Sequence, residues 1–214
     1  MTLLNIAHLR AAPLQTEPFD YCLVPQFISP PALALLREDF PDIRTGGSFP
    51  LSTLTYGPTF QQLAEELTGR DMQSAIEEKF GIDLSDRPAT LTVRGRTRHK
   101  DGEIHVDSKS KLITVLLYLN ESWVSAGGRL RLLRSEHDLE DHVAEIVPEK
   151  GALVAFRCSD NAWHGHAPFV GERRSLQLNW VETQAAADHT MRRHRLSALL
   201  KSLNPFATTT RRAA

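Results

Sequence analysis

Residues 104–107 read IHVD and set an imidazole, His105, two positions from a carboxylate, Asp107, just ahead of the apolar run 112–119. In an extended strand alternate side chains share a face, so the two groups point the same way. A further histidine, His164, stands 57 residues beyond Asp107 in the string NAWHGHAP. Two imidazoles and one carboxylate on one side of a metal, with open positions opposite, suit a ferrous ion that must also admit other ligands. His-x-Asp alone is a weak signal in a chain with nine histidines. The elements around it have to supply the rest of the argument.

Those elements change character along the chain. Residues 1–18 read as a loose lead-in and 20–27 as a short strand. Ser29-Pro30-Pro31 opens a helix over 32–40, serine suiting the cap and proline the first turn. Residues 42–57, with Gly46, Gly47, Pro50 and Gly57, read as an irregular loop. Further helices are expected over 58–67 and over 71–80, the latter capped by Asp71 and closed by Gly81. After Pro88 the period shortens. Strands are expected over 89–94, 112–119, 129–133, 143–147, 152–156 and 173–181. Helices followed by strands joined through loops point to an α+β fold: a β-sandwich or jelly roll over 88–182 braced by a helical layer over 28–82, the whole of 1–182 forming a single domain. Residues 183–214 make a basic C-terminal helical tail, with an amphipathic helix over 188–203.

Composition narrows the class. Of 214 residues, 41% are hydrophobic and 24% charged, which favours a packed core over disorder. The net charge of −1 gives no reason to expect nucleic acid as a partner, although 183–214 carries six Lys/Arg against one acid. No run reaches membrane-spanning length and no signal sequence stands at the start. Two cysteines, Cys22 and Cys158, read as free thiols of a reducing compartment, so a cytoplasmic location is expected.

The last strand, RRSLQLNWV, alternates unusually. Arg173, Ser175, Gln177 and Asn179 share one face; Arg174, Leu176, Leu178 and Trp180 share the other. The polar face either meets water or lines a ligand cavity. In the second case Arg173 offers the rigid two-pronged fork that grips carboxylates, with the Ser175 hydroxyl two residues on.

Several pieces in order resemble the prolyl-hydroxylase-like branch of the Fe(II)/2-oxoglutarate-dependent dioxygenases: HVD at 105–107, LLYLNESW at 116–123, GGRLRL at 127–132, IVPEKGALVAF at 146–156, SDNAWHGHAP at 159–168 and GERRSL at 171–176. The segment 19–41 resembles the family's strand-helix entry more loosely. The resemblance implies a double-stranded β-helix and places Fe(II) on His105, Asp107 and His164, Pro168 four residues on selecting His164 over His166. It implies 2-oxoglutarate as co-substrate, its distal carboxylate bound by Arg173 with help from Ser175 and Tyr118. Arg174 is the competing anchor. Ascorbate enters as an optional reductant. Asp107 occupies the position that halogenating relatives vacate, so hydroxylation of a C–H bond with release of succinate and carbon dioxide is the implied reaction.

The family often has a tyrosine and a longer glycine-containing loop ahead of His-x-Asp, where this chain has RTRHKDGEIH. Arg96, Arg98 and Lys100 there form a charged hairpin or a contact for an anionic substrate. Small molecules, glycans and peptides all remain open as substrates, and the oligomeric state is not specified. Residues 42–57 and 121–126 are candidate substrate covers. His137, Asp138, Glu140, Asp141 and His142 read as a solvated cluster rather than a second metal site. Two other functions compete with the oxygenase: a non-catalytic cupin-like metal or sugar binder, and a Zn(II) hydrolase using His105, His164 and His166.

Overall fold

The N-terminal helices form where apolar residues recur at helical spacing. In the computed structural model, which describes residues 2–202, α1 is Ile6–Ala11, α2 Pro30–Glu38, α3 Pro58–Leu67 and α4 Arg70–Phe80. Helix α3 buries Phe60, Leu63, Ala64 and Leu67, and α4 buries Met72, Ala75, Ile76 and Phe80. These are the i, i+3, i+4 and i+7 positions of one stripe in α3 and the i, i+3, i+4 and i+8 positions in α4. Each such large side chain contributes roughly 1.5–3 kcal/mol by leaving water. Gly81 ends α4 in the left-handed conformation at φ 58°, the geometry that favours glycine at this position.

Nine strands follow the expected order with two additions. They are β1 Tyr21–Val24, β2 Phe49–Pro50, β3 Ala89–Thr97, β4 Lys111–Tyr118, β5 Leu130–Leu133, β6 His142–Ile146, β7 Leu153–Arg157, β8 His164–Gly165 and β9 Gly171–Val181. They build a six-stranded sheet in the order β1-β7-β4-β9-β3-β2 and a three-stranded sheet in the order β6-β5-β8. Every neighbouring pair is antiparallel. The fold is a jelly roll with helices on one side. One apolar cluster joins the helices to the outer face of the large sheet through Leu91, Val93, Val115, Leu117, Leu178 and Trp180. A second, with Tyr118, Leu130, Leu132, Val154 and Phe156, fills the closed end between the sheets.

Several expectations are corrected. The lead-in contains α1, because Asn5 accepts a hydrogen bond from the His8 amide and Leu9 is buried. The amides of Leu3 and Leu4 are bound by the Glu66 carboxylate of α3. Gly69, not Asp71, caps α4, and Asp71 lies in its first turn, where a negative charge is also favourable. The loop 42–57 includes β2 and a 3₁₀ turn, Leu51–Thr53. Strand β3 runs on to Thr97 through a bulge between Arg94 and Arg96. A Cβ on Gly95 would come within 2.6 Å of Ile43 Cβ, so this close passage needs glycine. The C-terminal helix, α5 (Gln184–Ser202), begins four residues early. It buries Ala187 and Ala198 and leaves Leu196, Leu199 and Leu200 exposed, so its apolar residues do not form one covered stripe. Residues 203–214 of the expected tail lie outside the described residues. Among the described residues no helix is long and apolar enough to cross a membrane.

Candidate metal centre

Main-chain pairing brings the distant ligand candidates together. His105 and His164 exchange two backbone hydrogen bonds, each amide donating to the other's carbonyl at 3.0 Å. His164 also begins β8, opposite Leu132 of β5. The two imidazole centroids are 4.3 Å apart, and Phe156 packs 4.9 Å from the His164 ring. Ligand atoms of His105, Asp107 and His164 all lie within 4.8 Å of one another, and they form the metal-competent group found among the described residues. His166 is not in that group, which separates the arrangement from the three-histidine hydrolase set. The cluster 137–142 is not in it either: Asp141 pairs with Arg134, and Glu140 with Arg131.

The chemistry of the donors fits a ferrous ion. Nδ1 of His105 is 2.8 Å from the Glu103 carbonyl and Nδ1 of His164 is 2.9 Å from that of Ala162. Each Nδ1 therefore carries the proton, and each Nε2 keeps its lone pair for a metal. Burial, reinforced by His105, lowers the His164 pKa to about 4 and keeps the ring neutral. Burial pushes the Asp107 carboxyl up, but the Lys111 ammonium, His164 and the Thr114 hydroxyl outweigh it, and the pKa ends below the usual carboxylate value. Lys111 Nζ donates to Asp107 Oδ1 at 2.6 Å and Thr114 Oγ1 to Oδ2 at 2.5 Å. These two donors hold the carboxylate in place and keep it ionised.

The site opens into a cavity of about 320 Å³ between the sheets. Its floor is the inner face of β9, β3 and β4. Ser175 lies opposite Arg94 of β3 on one side and Tyr118 of β4 on the other; Gln177 lies opposite Thr92 and Leu116, and Asn179 opposite Thr90 and Thr114. Arg173, two residues before Ser175, joins this face. It is 5% exposed. Its Nε donates to the Gly128 carbonyl at 2.7 Å and its Nη2 to the Tyr118 hydroxyl at 3.3 Å, with the guanidinium 4.9 Å over the Tyr118 ring. No carboxylate pairs with it among the described residues. The polar face of RRSLQLNWV thus lines a cavity instead of meeting water.

Arg174 points the other way, to the Arg37 carbonyl of α2 at 3.2 Å and over the Phe40 ring. It therefore leaves the cavity to Arg173. The basic edge divides as well. Lys100 borders the cavity, whereas Arg96 and Arg98 line a separate outer groove of about 940 Å³.

Sequence reasoning missed Arg94, Lys111 and Thr114 at the site. Arg94 had a readable signal: Thr90, Thr92 and Arg94 alternate with Leu91 and Val93, so this strand too has one polar face. His166 was considered only as a rival ligand. It is a buried wall residue whose Nδ1 faces the Ala167 carbonyl at 2.9 Å. Its ring lies so close beneath the 98–104 turn that a Cβ on Gly102 would meet it at 2.3 Å.

Comparison with known proteins places this arrangement. No curated protein matches the sequence. Residues 92–182, which hold the three ligand candidates and Arg173, match the 2OG-Fe(II) oxygenase superfamily. Among solved structures, a Pseudomonas putida prolyl-4-hydroxylase is 20% identical with a TM-score of 0.54, the match covering 83% of this chain and 98% of that one. A Trichoplax adhaerens prolyl hydroxylase, solved with a hypoxia inducible factor peptide, is 18% identical with a TM-score of 0.54 over 90% and 92% of the two chains. A viral collagen prolyl hydroxylase from Paramecium Bursaria Chlorella virus-1, solved with 2OG, is 14% identical with a TM-score of 0.53 over 77% and 96%. The fold is that of these prolyl hydroxylases, and the match to the 2OG-Fe(II) oxygenase superfamily spans residues 92–182.

Proposed function

We propose that the chain is an Fe(II)- and 2-oxoglutarate-dependent hydroxylase with residues 1–182 as one catalytic domain. One observation carries this reading: His105, Asp107 and His164 converge within 4.8 Å beside a cavity that also holds the guanidinium of Arg173. When bound, the ferrous ion and 2-oxoglutarate would activate dioxygen, one oxygen atom entering a substrate C–H bond and the other the succinate formed with carbon dioxide.

The protein residues bind, orient and exclude. His105 and His164 present neutral Nε2 atoms, fixed by their backbone carbonyl partners. Asp107 is the third ligand, and its negative charge is secured by Lys111 and Thr114. Arg173 grips the distal carboxylate of 2-oxoglutarate, with the Tyr118 and Ser175 hydroxyls as neighbours on the same face. A fork bound to a carboxylate gives direction as well as energy. Leu130, Leu116 and the ring of His166 narrow the remaining space and limit the water around the reacting groups. The acceptor is a small molecule, glycan or peptide; the peptide-bound prolyl hydroxylase supports the last as a class.

The test is succinate formation by protein reconstituted anaerobically with Fe(II) and then given 2-oxoglutarate and air. His105→Ala should abolish it without unfolding the chain, because the side chain is exposed. Arg173→Ala should weaken 2-oxoglutarate binding by roughly 2–5 kcal/mol, the usual loss for truncating one side of a buried charged contact. Failure of the Fe(II) protein to bind 2-oxoglutarate would remove the reading.

A further inference from the structure

Two guanidiniums reach the cavity, and the chemistry above uses only one. Arg94 sits on β3 directly opposite Ser175, in the row that continues to Tyr118. Its Nε donates to Ser48 Oγ at 2.9 Å, just ahead of β2, and this bond fixes the stem. Its two terminal nitrogens have no hydrogen-bond acceptor among the described residues and neither is fully closed off, and Arg94 is one of the residues lining the cavity. No carboxylate forms an ion pair with Arg94 or Arg173 among the described residues. Asp101, whose field reaches Arg94, is already paired with Arg98 at 2.8 Å.

The two arginines are held on opposite flanks of β9. Arg173 is drawn to Gly128 and Tyr118, on the β4 and β5 side. Arg94 is drawn to Ser48, on the β2 side. Charge balance gives the second argument. A divalent metal, ionised Asp107, dianionic 2-oxoglutarate and Arg173 neutralise one another, and Glu103 and Lys100, which also line the cavity, carry opposite charges, which leaves the charge of Arg94 over, together with that of Lys111. Burying a guanidinium beside a like charge is unfavourable unless an anion arrives to share it.

We propose that Arg94 is a second oxyanion anchor of this cavity and that the primary substrate carries a carboxylate, sulfate or phosphate group that it grips. The proposal rests on the hydroxylase reading and narrows its substrate to acidic compounds. A planar guanidinium with both terminal nitrogens open matches such groups two oxygens at a time. The anion it meets has two possible sources, the substrate or the far end of 2-oxoglutarate, and the experiment separates them.

The full chain is loaded with Mn(II), a redox-inert stand-in, and titrated calorimetrically with 2-oxoglutarate. Sulfate is then titrated into the saturated complex. The wild type should take up sulfate after 2-oxoglutarate. Arg94→Met should weaken sulfate by about tenfold or more, the scale of a lost charge-assisted fork, while 2-oxoglutarate affinity changes by less than about threefold. Arg173→Met should show the reverse order of losses. Arg94→Lys keeps the charge without the fork and should recover part of the sulfate affinity, which separates recognition from any folding defect of the methionine variant. The proposal is overturned if saturated wild type takes no sulfate, or if Arg94→Met binds it as wild type does. It is also overturned if Arg94→Met weakens 2-oxoglutarate as much as Arg173→Met does, since Arg94 would then belong to the co-substrate grip. Wild type that binds no 2-oxoglutarate at all would sink the hydroxylase reading itself, a result distinct from losing sulfate alone.

Discussion

On the helix-covered face of the large sheet, Leu176, Leu178 and Trp180 of β9 are at most 2% exposed and pack into the main apolar cluster. On the opposite face the intervening Arg173, Ser175 and Asn179 are at most 5% exposed, yet polar or charged. Depth of burial is the same and chemistry is opposite. Apolar side chains on the first face gain by leaving water, whereas those on the second must be satisfied by named partners or by a ligand. Asn179 meets Thr114, and Arg173 meets Gly128 and Tyr118. Leu176, Leu178 and Trp180 thus anchor the strand in the core, while Arg173, Ser175 and Asn179 of the same strand form the buried polar face.

The contrast can be broken by substitutions that each touch one face. Trp180→Ala should cost about 3–5 kcal/mol in urea unfolding, the usual loss for a buried aromatic. Under conditions where the variant remains folded, its metal affinity should stay near that of wild type. A metal-binding loss as large as the stability loss would show that the two faces are not independent.

Acid probes the cavity face next. Burial, with a like charge nearby in each case, lowers the pKa values of His164 and His166 from 6.5 to about 4. Below pH 6.5 the unfolded chain takes up protons that the folded, metal-free chain refuses until about pH 4. The stability from keeping these rings neutral is thus complete above pH 6.5 and lost as pH falls, on the order of 3 kcal/mol per histidine. By pH 5 about 2 kcal/mol per histidine should be gone; urea midpoints of metal-free protein at pH 7 and pH 5 measure this part, and a flat profile would mean that both rings are hydrated.

The smallest effect sharpens the division. Thr114→Val removes the hydroxyl on Asp107 Oδ2 while nearly keeping the side-chain shape. Metal affinity should fall by about 10–100-fold, as when the partner of a ligating group is lost. Unchanged affinity in a Mn(II) titration would mean that Lys111 alone suffices to hold the carboxylate.

Period-two alternation in 173–181, the run 112–119, the helix 58–67 and the closing Gly81 of α4 were legible because local geometry dictates them. The convergence of His105, Asp107 and His164 was legible because His-x-Asp and His164 keep fixed distances from recognisable strands. Arg94 was harder to see, since its importance depends on β3 lying beside β9, a pairing across some eighty residues that no local pattern encodes. Strand β8 escaped for a related reason: two residues carry no period, and His164–Gly165 is a strand only because β5 and the 102–105 segment border it. Helix α1 was hidden because its long-range support comes from α4, where Glu78 pairs with Arg10 and Lys79 donates to the Arg10 carbonyl.

The reciprocal amide–carbonyl pairing of His105 and His164 has a further consequence. It joins the two imidazoles through the main chain alone, so their spacing does not wait on an ion. Loading becomes docking into a finished cradle, and little of the binding free energy is diverted into organising loops. On the proposed reading, metal loss and unfolding are thereby separate events, unlike in small zinc domains that collapse once stripped.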